Sequence, residues 1–416
     1  MKIKDKVIYV NDKPFQIFGV NVCGFEIAGH GFCLGGLWNG ATPAQIAKNI
    51  RKAGFNTVRL PVHPKVFENN VVPQNILGAW PNTPNEGLLG KRSLEMLDLF
   101  VKELEAEGIY FIIDHHYLDA EGKIPPMWYT SDYPEARWLN DLAQLAEAFK
   151  LRPGFIGIDI KNEPGKGCTW GSGDPMTDWK IACEKAFYAI DKVNKDCLII
   201  TESFSTTSIN EMVANPPAIP ESRLLMSIHE YGPDVWPWME GVDDPSFPAN
   251  QTAILDVHLG NAAKKRAIYV GEFGGQYGKG SSGIKDKLWQ DFLIAYMAQR
   301  SIVNFSVWAY GPNAGGETGG ITDDSYLNLR TDKLDALAPL RTAGAVYIGS
   351  SGSDRDPEPP HEHEPFNVGD IVVHKSGTGP KILYLGGGDG EFWNDRGELC
   401  RVNVDRGRFE KVMDAW

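Results

Sequence analysis

No run of eighteen apolar residues occurs in the 416-residue chain, so nothing in it reads as a membrane-spanning helix. Positive charge is in short supply: 41 Lys and Arg against 54 Asp and Glu leave a formal net charge of -13, with no long basic run. A phosphate backbone or an anionic lipid surface would be repelled at long range, which excludes nucleic acid and membrane as expected partners. The six cysteines are too few for a disulfide scaffold and lack the paired spacing of a structural zinc site. Cys23 and Cys33 lie in one irregular stretch, where a disulfide and two free thiols are equal alternatives; Cys183 and Cys197 sit in apolar contexts and read as buried thiols. No glycine fingerprint follows the first strand-like run, FQIFGVN, which argues against a dinucleotide-binding sheet, and no G-x-S-x-G elbow follows any strand. The opening MKIKDKVIYV has no apolar core of export-leader length.

What is present is a rhythm. Short apolar runs at 15–20, 56–60, 109–114, 155–160, 197–201, 224–228, 267–271 and 303–308 alternate with helical patterns at 43–54, 92–108, 135–150, 178–193, 249–260 and 284–299, and TDKLDALAPL closes the set. Eight strands joined by crossover helices predict an α/β fold, a (β/α)8 TIM barrel, over residues 1–348. Polar residues end many of these strands, and closure into a barrel would bring them to one face. After about residue 349 the texture changes to GSSGSDRDPEPPHEHEP, read as a linker over 349–365. Short alternating runs from 366 to 416 predict a small all-β C-terminal domain of unassigned role, whose F-x-V-G-D-x-V opening resembles small SH3-like barrels.

Two carboxylates end strands in comparable settings, Glu163 in 162-NEP-164 and Glu272 in 270-VGEFGG-275. A retaining glycosidase needs such a pair, one to protonate the leaving oxygen and one to attack the anomeric carbon, about 5–5.5 Å apart; an inverting enzyme needs a wider gap. Both remain open from sequence. In 228-IHEYG-232 the alternation of an extended chain puts His229 and Tyr231 on one side, where a tyrosine hydroxyl can hold a carboxylate ionised. Arg59, in NTVRLP, needs an anionic partner if buried. Trp308 and Trp38 are candidate floors for a sugar ring; Trp128, Trp170, Trp236 and Trp238, in loops after strands, are candidate platforms for a longer glycan. The 361-HEHE-364 run and Asp114-His115-His116 lack metal-like spacing, so neither a metal nor a cofactor is expected.

These residues, in this order, resemble glycoside hydrolase family 5, the cellulase family of (β/α)8 barrels, over roughly residues 3–345. NTVRLP, IIDHH, NEP, HEY, GEFG and Trp308 ahead of the TGG loop carry the likeness, and 37-LWNG-40 and 162-NEPGKGCTWGSGDPMTDW-179 look especially like its bacterial endo-β-1,4-glucanases. The resemblance implies retaining, endo-acting hydrolysis of β-1,4-glucosidic bonds, with mannan, xyloglucan or mixed-linkage glucan as alternative substrates of the same pair. It makes Glu163 the acid/base and Glu272 the nucleophile. It gives Asn162 the sugar 2-hydroxyl, and Arg59, His116, His229 and Tyr231 the shaping of the carboxylates and the subsite. It further implies a pH optimum on the acid to neutral side. Ser172 stands where relatives can carry a second cysteine, so their disulfide pattern is not transferred, and His115 is expected simply to pack. A polymeric substrate favours a secreted, mature form, with a cytoplasmic location as the alternative; a monomer is expected.

Overall fold

The computed structural model describes residues 1–349, apart from 69–70, 75, 79–80, 117–123, 206–207, 237–239, 280–282 and 313–318, together with five strands between 371 and 413. The chain begins with an antiparallel meander, β1 (Lys2–Lys4), β2 (Val7–Val10) and β3 (Lys13–Phe15). Its two-residue turns, Asp5-Lys6 and Asn11-Asp12, have positive φ at both positions, the type I′ geometry that matches strand twist.

Eight parallel strands then close a barrel: β4 (Phe18–Val22), β5 (Thr57–Val62), β6 (Tyr110–His115), β7 (Phe155–Asp159), β8 (Leu198–Glu202), β9 (Leu224–Tyr231), β10 (Ile268–Gly274) and β11 (Asn304–Tyr310). β11 pairs back onto β4, with Phe305 opposite Phe18. The expected first strand at 15–20 is corrected by three residues. Phe15 is still paired with Ile8 in the meander, and Gln16 is drawn away by hydrogen bonds to the carbonyls of Val303 and Leu340, so barrel pairing starts only after it.

The helices are α1 (Pro43–Lys52), α2 (Ser93–Ala106), α3 (Glu135–Phe149), α4 (Trp179–Asp191), α5 (Ser208–Ala214), α6 (Ala249–Leu255) running through a π turn into α7 (Asn261–Ala263), α8 (Gly283–Gln299) and α9 (Thr331–Leu337). α1 starts at a capping box, Thr42 with Gln45, with Pro43 in its first turn, and buries Ile46, Ala47 and Ile50. Asp178 caps α4 by accepting from Lys180 N–H and also gathers the Gly171 and Gly173 amides, which folds the loop that follows Glu163. α5 has no counterpart in the expected helices: seven residues are too few for the apolar period to show.

Strand residues point alternately to two cores. Val20, Val58, Leu60, Phe111, Ile113, Ile158, Ile199, Met226, Val270 and Phe305 face the helices. Tyr110, Ile112, Ile156, Leu198, Ile200, Leu225 and Tyr269 share a second core with Ile3, Ile8 and Phe15 of the meander, which plugs the N-terminal mouth of the barrel. The five described cysteines are free thiols, so Cys23 and Cys33 are not bridged.

Near the C-terminus, β12 (Ile371–His374), β13 (Ile382–Gly386), β14 (Asp389–Trp393), β15 (Leu399–Asn403) and β16 (Phe409–Met413) form an antiparallel sheet in the order β15-β14-β13-β12-β16. The linker at 349–365, beyond Gly349, and its HEHE run lie outside the described residues. Among the described residues no helix is long and apolar enough to cross a membrane.

Candidate active site

The C-terminal ends of the barrel strands meet around Arg59, which is fully buried on β5. Its Nη2 lies 2.9 Å from Asp159, 2.9 Å from Glu202 and 3.1 Å from Asp114, and its Nη1 donates to Glu272 Oε1 at 2.7 Å. Further hydrogen bonds reach Asn21 and Asn162 at 3.0 Å each. Burial disfavours the guanidinium charge, but the carboxylates of Asp114, Asp159, Glu272 and Glu202 outweigh it and hold the group charged. Asp114, Asp159 and Glu202 cluster closely enough to suggest a cation site. The Arg59 guanidinium is in contact with all three and supplies the positive charge there. His115 turns to the other face of β6 and bonds the Tyr133 hydroxyl at 2.9 Å, so it does not converge with Asp114 and His116.

Glu272 and Glu163 stand above this ionic floor. Glu272 is 5% exposed and accepts Tyr231 O–H at 2.7 Å as well as Arg59. The strand shifts register between Val270 and Glu272, and Gly271 fits there because a Cβ would come within 2.7 Å of Ser227 Oγ and 3.0 Å of His229 Nε2. Glu163 has φ 45°, left-handed for a residue with a side chain, a strain of about 1–3 kcal/mol that its surroundings must hold. Its N–H donates to Glu202 Oε2 at 2.8 Å, and its side chain, 42% exposed, lies with Oε1 3.1 Å from His229 Nδ1. One ligating atom each of Glu163, His229 and Glu272 lies within 4.8 Å of the others.

The titration of the three is set by their contacts. Burial works against the imidazolium of His229, yet Glu202 and Glu272 raise it well above the usual histidine range. Burial raises Glu163, but the His229 hydrogen bond prevails and lowers it; burial raises Glu272 beyond what His229 and Arg59 recover. Glu202, despite burial, is held well below the carboxylate range by His229 and Arg59.

Asn162 accepts from Arg59 through Oδ1, while its buried Nδ2 has no partner among the described residues. His116 bonds Asp114 through Nδ1 at 2.5 Å and stacks on Trp308, with ring centroids 5.7 Å apart and planes at 11°. Burial opposes its charge, but Asp114 raises its pKa. Trp38 stacks on His30 at 3.8 Å and meets Tyr326 edge-on, partly exposed. The loop tryptophans divide. Trp128 is not a platform: it is fully buried and packs with Trp138 and Trp179 beneath the loops. Trp170 stacks on Phe204 and Trp236 lies edge-on to Tyr231, both partly exposed; Trp238 lies outside the described residues. Asn21, Asp159 and Glu202 were not singled out from sequence, although each ends or nearly ends a strand, as in 198-LIITE-202.

A closed (β/α)8 barrel with two carboxylates this close at its C-terminal face is the arrangement of a glycosidase. The model of the family described as Cellulase (glycosyl hydrolase family 5) matches residues 9–314. The major extracellular endoglucanase of Xanthomonas campestris pv. campestris is 36% identical over 353 residues, covering 82% of this chain and 70% of that protein. An endoglucanase of Paenibacillus polymyxa is 31% identical, over 81% of this chain and 85% of that one. Among solved structures, the catalytic domain of the Xanthomonas enzyme superposes with a TM-score of 0.75 at 35% identity, covering 82% of this chain and 99% of that domain. The hyperthermophilic endocellulase of Pyrococcus horikoshii gives 0.74 at 29%, over 82% and 97%. The chain belongs to glycosyl hydrolase family 5.

Proposed function

We propose that the protein is a retaining endo-β-1,4-glucanase in which Glu272 is the nucleophile and Glu163 the general acid/base. The observation that carries this reading is the spacing: one oxygen of each carboxylate lies within 4.8 Å of the other, which fits the narrow gap of direct attack better than the wider gap of an inverting enzyme. Arg59 and Tyr231 each donate to a different oxygen of Glu272, which favours its ionised form for attack on the anomeric carbon. The more exposed Glu163 gives a proton to the leaving oxygen, then takes one from water as the glycosyl-enzyme is hydrolysed. In the free cleft a proton rests on His229, which lowers Glu163; a sugar that covers Glu163 disfavours its charge and draws the proton toward it.

Asn162 Nδ2 is the donor for the 2-hydroxyl of the sugar at the cleavage point. Trp308, on the floor beside His116, and Trp38, farther along the rim, stack on glucose rings. The glucan assignment follows from the relatives, whose names are endoglucanases and whose structures include the Pyrococcus enzyme with cellotetraose. Secretion fits both a polymeric substrate and the relative named as extracellular. We take the sheet within 366–416 as a separate small domain attached to a monomeric catalytic barrel.

The test is hydrolysis of carboxymethyl-cellulose and β-mannan by the protein, Glu163→Gln and Glu272→Gln, with viscosity and reducing ends followed together. The expected result is rapid loss of viscosity on the cellulose derivative. It should fall about 10²–10⁴-fold in Glu163→Gln and vanish in Glu272→Gln, with the β-anomer formed first. Preference for mannan would overturn the substrate, and the α-anomer would overturn the mechanism.

A further inference from the structure

Glu202 ends β8 and is 2% exposed, buried beneath Glu163 and His229. Its two oxygens touch both Glu163 and the histidine bonded to it, His229. Oε2 accepts the Glu163 N–H at 2.8 Å, and Oε1 lies 3.2 Å from His229 Nε2 and 2.9 Å from Arg59 Nη2. We propose that Glu202 is a positioning residue for acid catalysis: it fixes the left-handed backbone of Glu163 and turns His229 so that Nδ1 shares a proton with Glu163. This rests on the reading of Glu163 as the acid/base.

The first half of the argument is geometric. The Glu163 amide is the donor nearest its strained φ, and the next residue, Pro164, has no N–H to replace it. Without the Glu202 acceptor that amide loses its partner, and the carboxyl it aims is released.

The second half is electrostatic. An anion beside Nε2 keeps a proton on that nitrogen, so Nδ1 is the position that gains or loses one. Nδ1 faces Glu163 Oε1 at 3.1 Å and Glu272 Oε2 at 3.6 Å. One proton therefore lies between Glu163 and His229, as a neutral acid beside a neutral imidazole or as a carboxylate beside an imidazolium. When the glycosidic bond breaks, its electron pair goes to the leaving oxygen, which takes this proton. Glu272 bonds the anomeric carbon, leaving Glu163 ionised and His229 neutral with Nε2–H. The other titratable and charged groups around the pair are Arg59 on β5, Asp114 and His116 on β6, Lys161 just after β7, and Glu272 on β10, with Tyr231 on the strand of His229; Asp159 on β7, which burial and the neighbouring Glu202 push well above the carboxylate range, is the neutral partner of Glu202.

The experiment is kcat/KM against pH for phenyl and 2,4-dinitrophenyl β-cellobiosides. The second leaving group departs without protonation, so only the first reports acid catalysis. Glu202→Gln keeps an oxygen for the Glu163 amide but removes the anion beside Nε2. It should lower kcat/KM on the phenyl glycoside about 10- to 100-fold and leave the dinitrophenyl glycoside within about 3-fold. Because the pair then holds its proton less tightly, the alkaline limb should move to lower pH by about one unit. Glu202→Asp should recover part of both effects. Equal losses on both glycosides, or an unmoved alkaline limb, would overturn the proposal. Glu163→Gln run alongside separates the two readings: if it shows no leaving-group dependence, the acid/base assignment itself falls. Ring ¹⁵N shifts of His229 in the unsubstituted protein give a second check that needs no variant, and a neutral ring protonated on Nδ1 would also overturn the proposal.

Discussion

Tyr231→Phe isolates one of the two donors that hold Glu272, the proposed nucleophile. The Tyr231 hydroxyl donates to Glu272 Oε2 at 2.7 Å in a buried setting, while Oε1 keeps its contact with Arg59. Phenylalanine preserves the ring and its edge-on contact with Trp236, so the change removes a hydrogen bond and little packing. A hydrogen bond to a charged group contributes about 1.5–3 kcal/mol, and its loss falls on the ionised form of Glu272. At 1.36 kcal/mol per pK unit, the carboxyl then titrates about 1–2 units higher. Burial already raises it, so the substitution moves it further in the same direction. As the proposed nucleophile Glu272 must be ionised to attack, and on that reading the acid limb of kcat/KM follows its pKa in the free enzyme. That limb should therefore move up by about 1–2 pH units, with activity reduced about 10- to 100-fold below it and largely retained above. The assay is kcat/KM on an aryl β-cellobioside from pH 4 to 9, with thermal unfolding as the stability control. A limb that stays within about 0.3 units, or a loss uniform across pH, would refute the assignment of Tyr231 as the support of an ionised nucleophile.

Asn162→Ala removes the free amide donor above Arg59. It should cost about 10- to 100-fold in kcat/KM on a β-cellobioside and much less on its 2-deoxy analogue, and equal losses would exclude a 2-hydroxyl contact. Gly271→Ala places a Cβ against Ser227 and His229. The expected destabilisation is about 1–3 kcal/mol in urea titration, with a larger fractional loss of activity than of folded protein at assay temperature. Glu230, next to His229 but with both carboxyl oxygens buried and unpartnered, is raised by burial to about 8 from 4.5. Its raised folded pKa means that the unfolded chain ionises first, so stability is lost as pH climbs from 4.5 toward 8. Glu230→Gln should flatten the decline of melting temperature between pH 5 and 8; parallel curves would contradict the buried neutral acid.

The barrel was legible because each strand is a short apolar run followed by a polar terminus, and the eight runs found by pattern lie on the eight barrel strands. Boundaries were less legible. Gln16 looks like a strand residue until its bonds to Val303 and Leu340 are seen, and these partners are about three hundred residues away in sequence. The meander at residues 2–15 carried a readable Asn-Asp turn signal, but three- and four-residue strands give too few alternations to stand out. In the site, Arg59, Asn162, Glu163, His229, Tyr231 and Glu272 were found by strand-end position, and the structure joins all six through hydrogen bonds or ion pairs. Glu202 occupies the same kind of position, yet its importance depends on accepting a backbone amide 39 residues away, which no local pattern records. Trp128 failed as a glycan platform for a related reason: a loop position says nothing about whether the loop folds its indole inward between Trp138 and Trp179.

The interior of the barrel changes character within two residues along a strand. On β6 the inward positions run Tyr110, Ile112, Asp114, and on β8 they run Leu198, Ile200, Glu202. Below this boundary the meander completes a dry core; above it Arg59 is surrounded by Asp114, Asp159, Glu202 and Glu272. Buried ion networks of this kind are poor sources of stability, because desolvation offsets much of the attraction. The apolar half therefore carries the stability that the ionic half lacks. The network contributes orientation instead: one guanidinium connects Glu272, the Asn162 amide beside Glu163 and the Glu202 carboxylate beneath His229, so none of the three can shift without disturbing the others. Substitutions in the lower core should reduce melting temperature with little change in pH profile, whereas substitutions around Arg59 should move the pH profile at modest cost in stability wherever charge balance is kept.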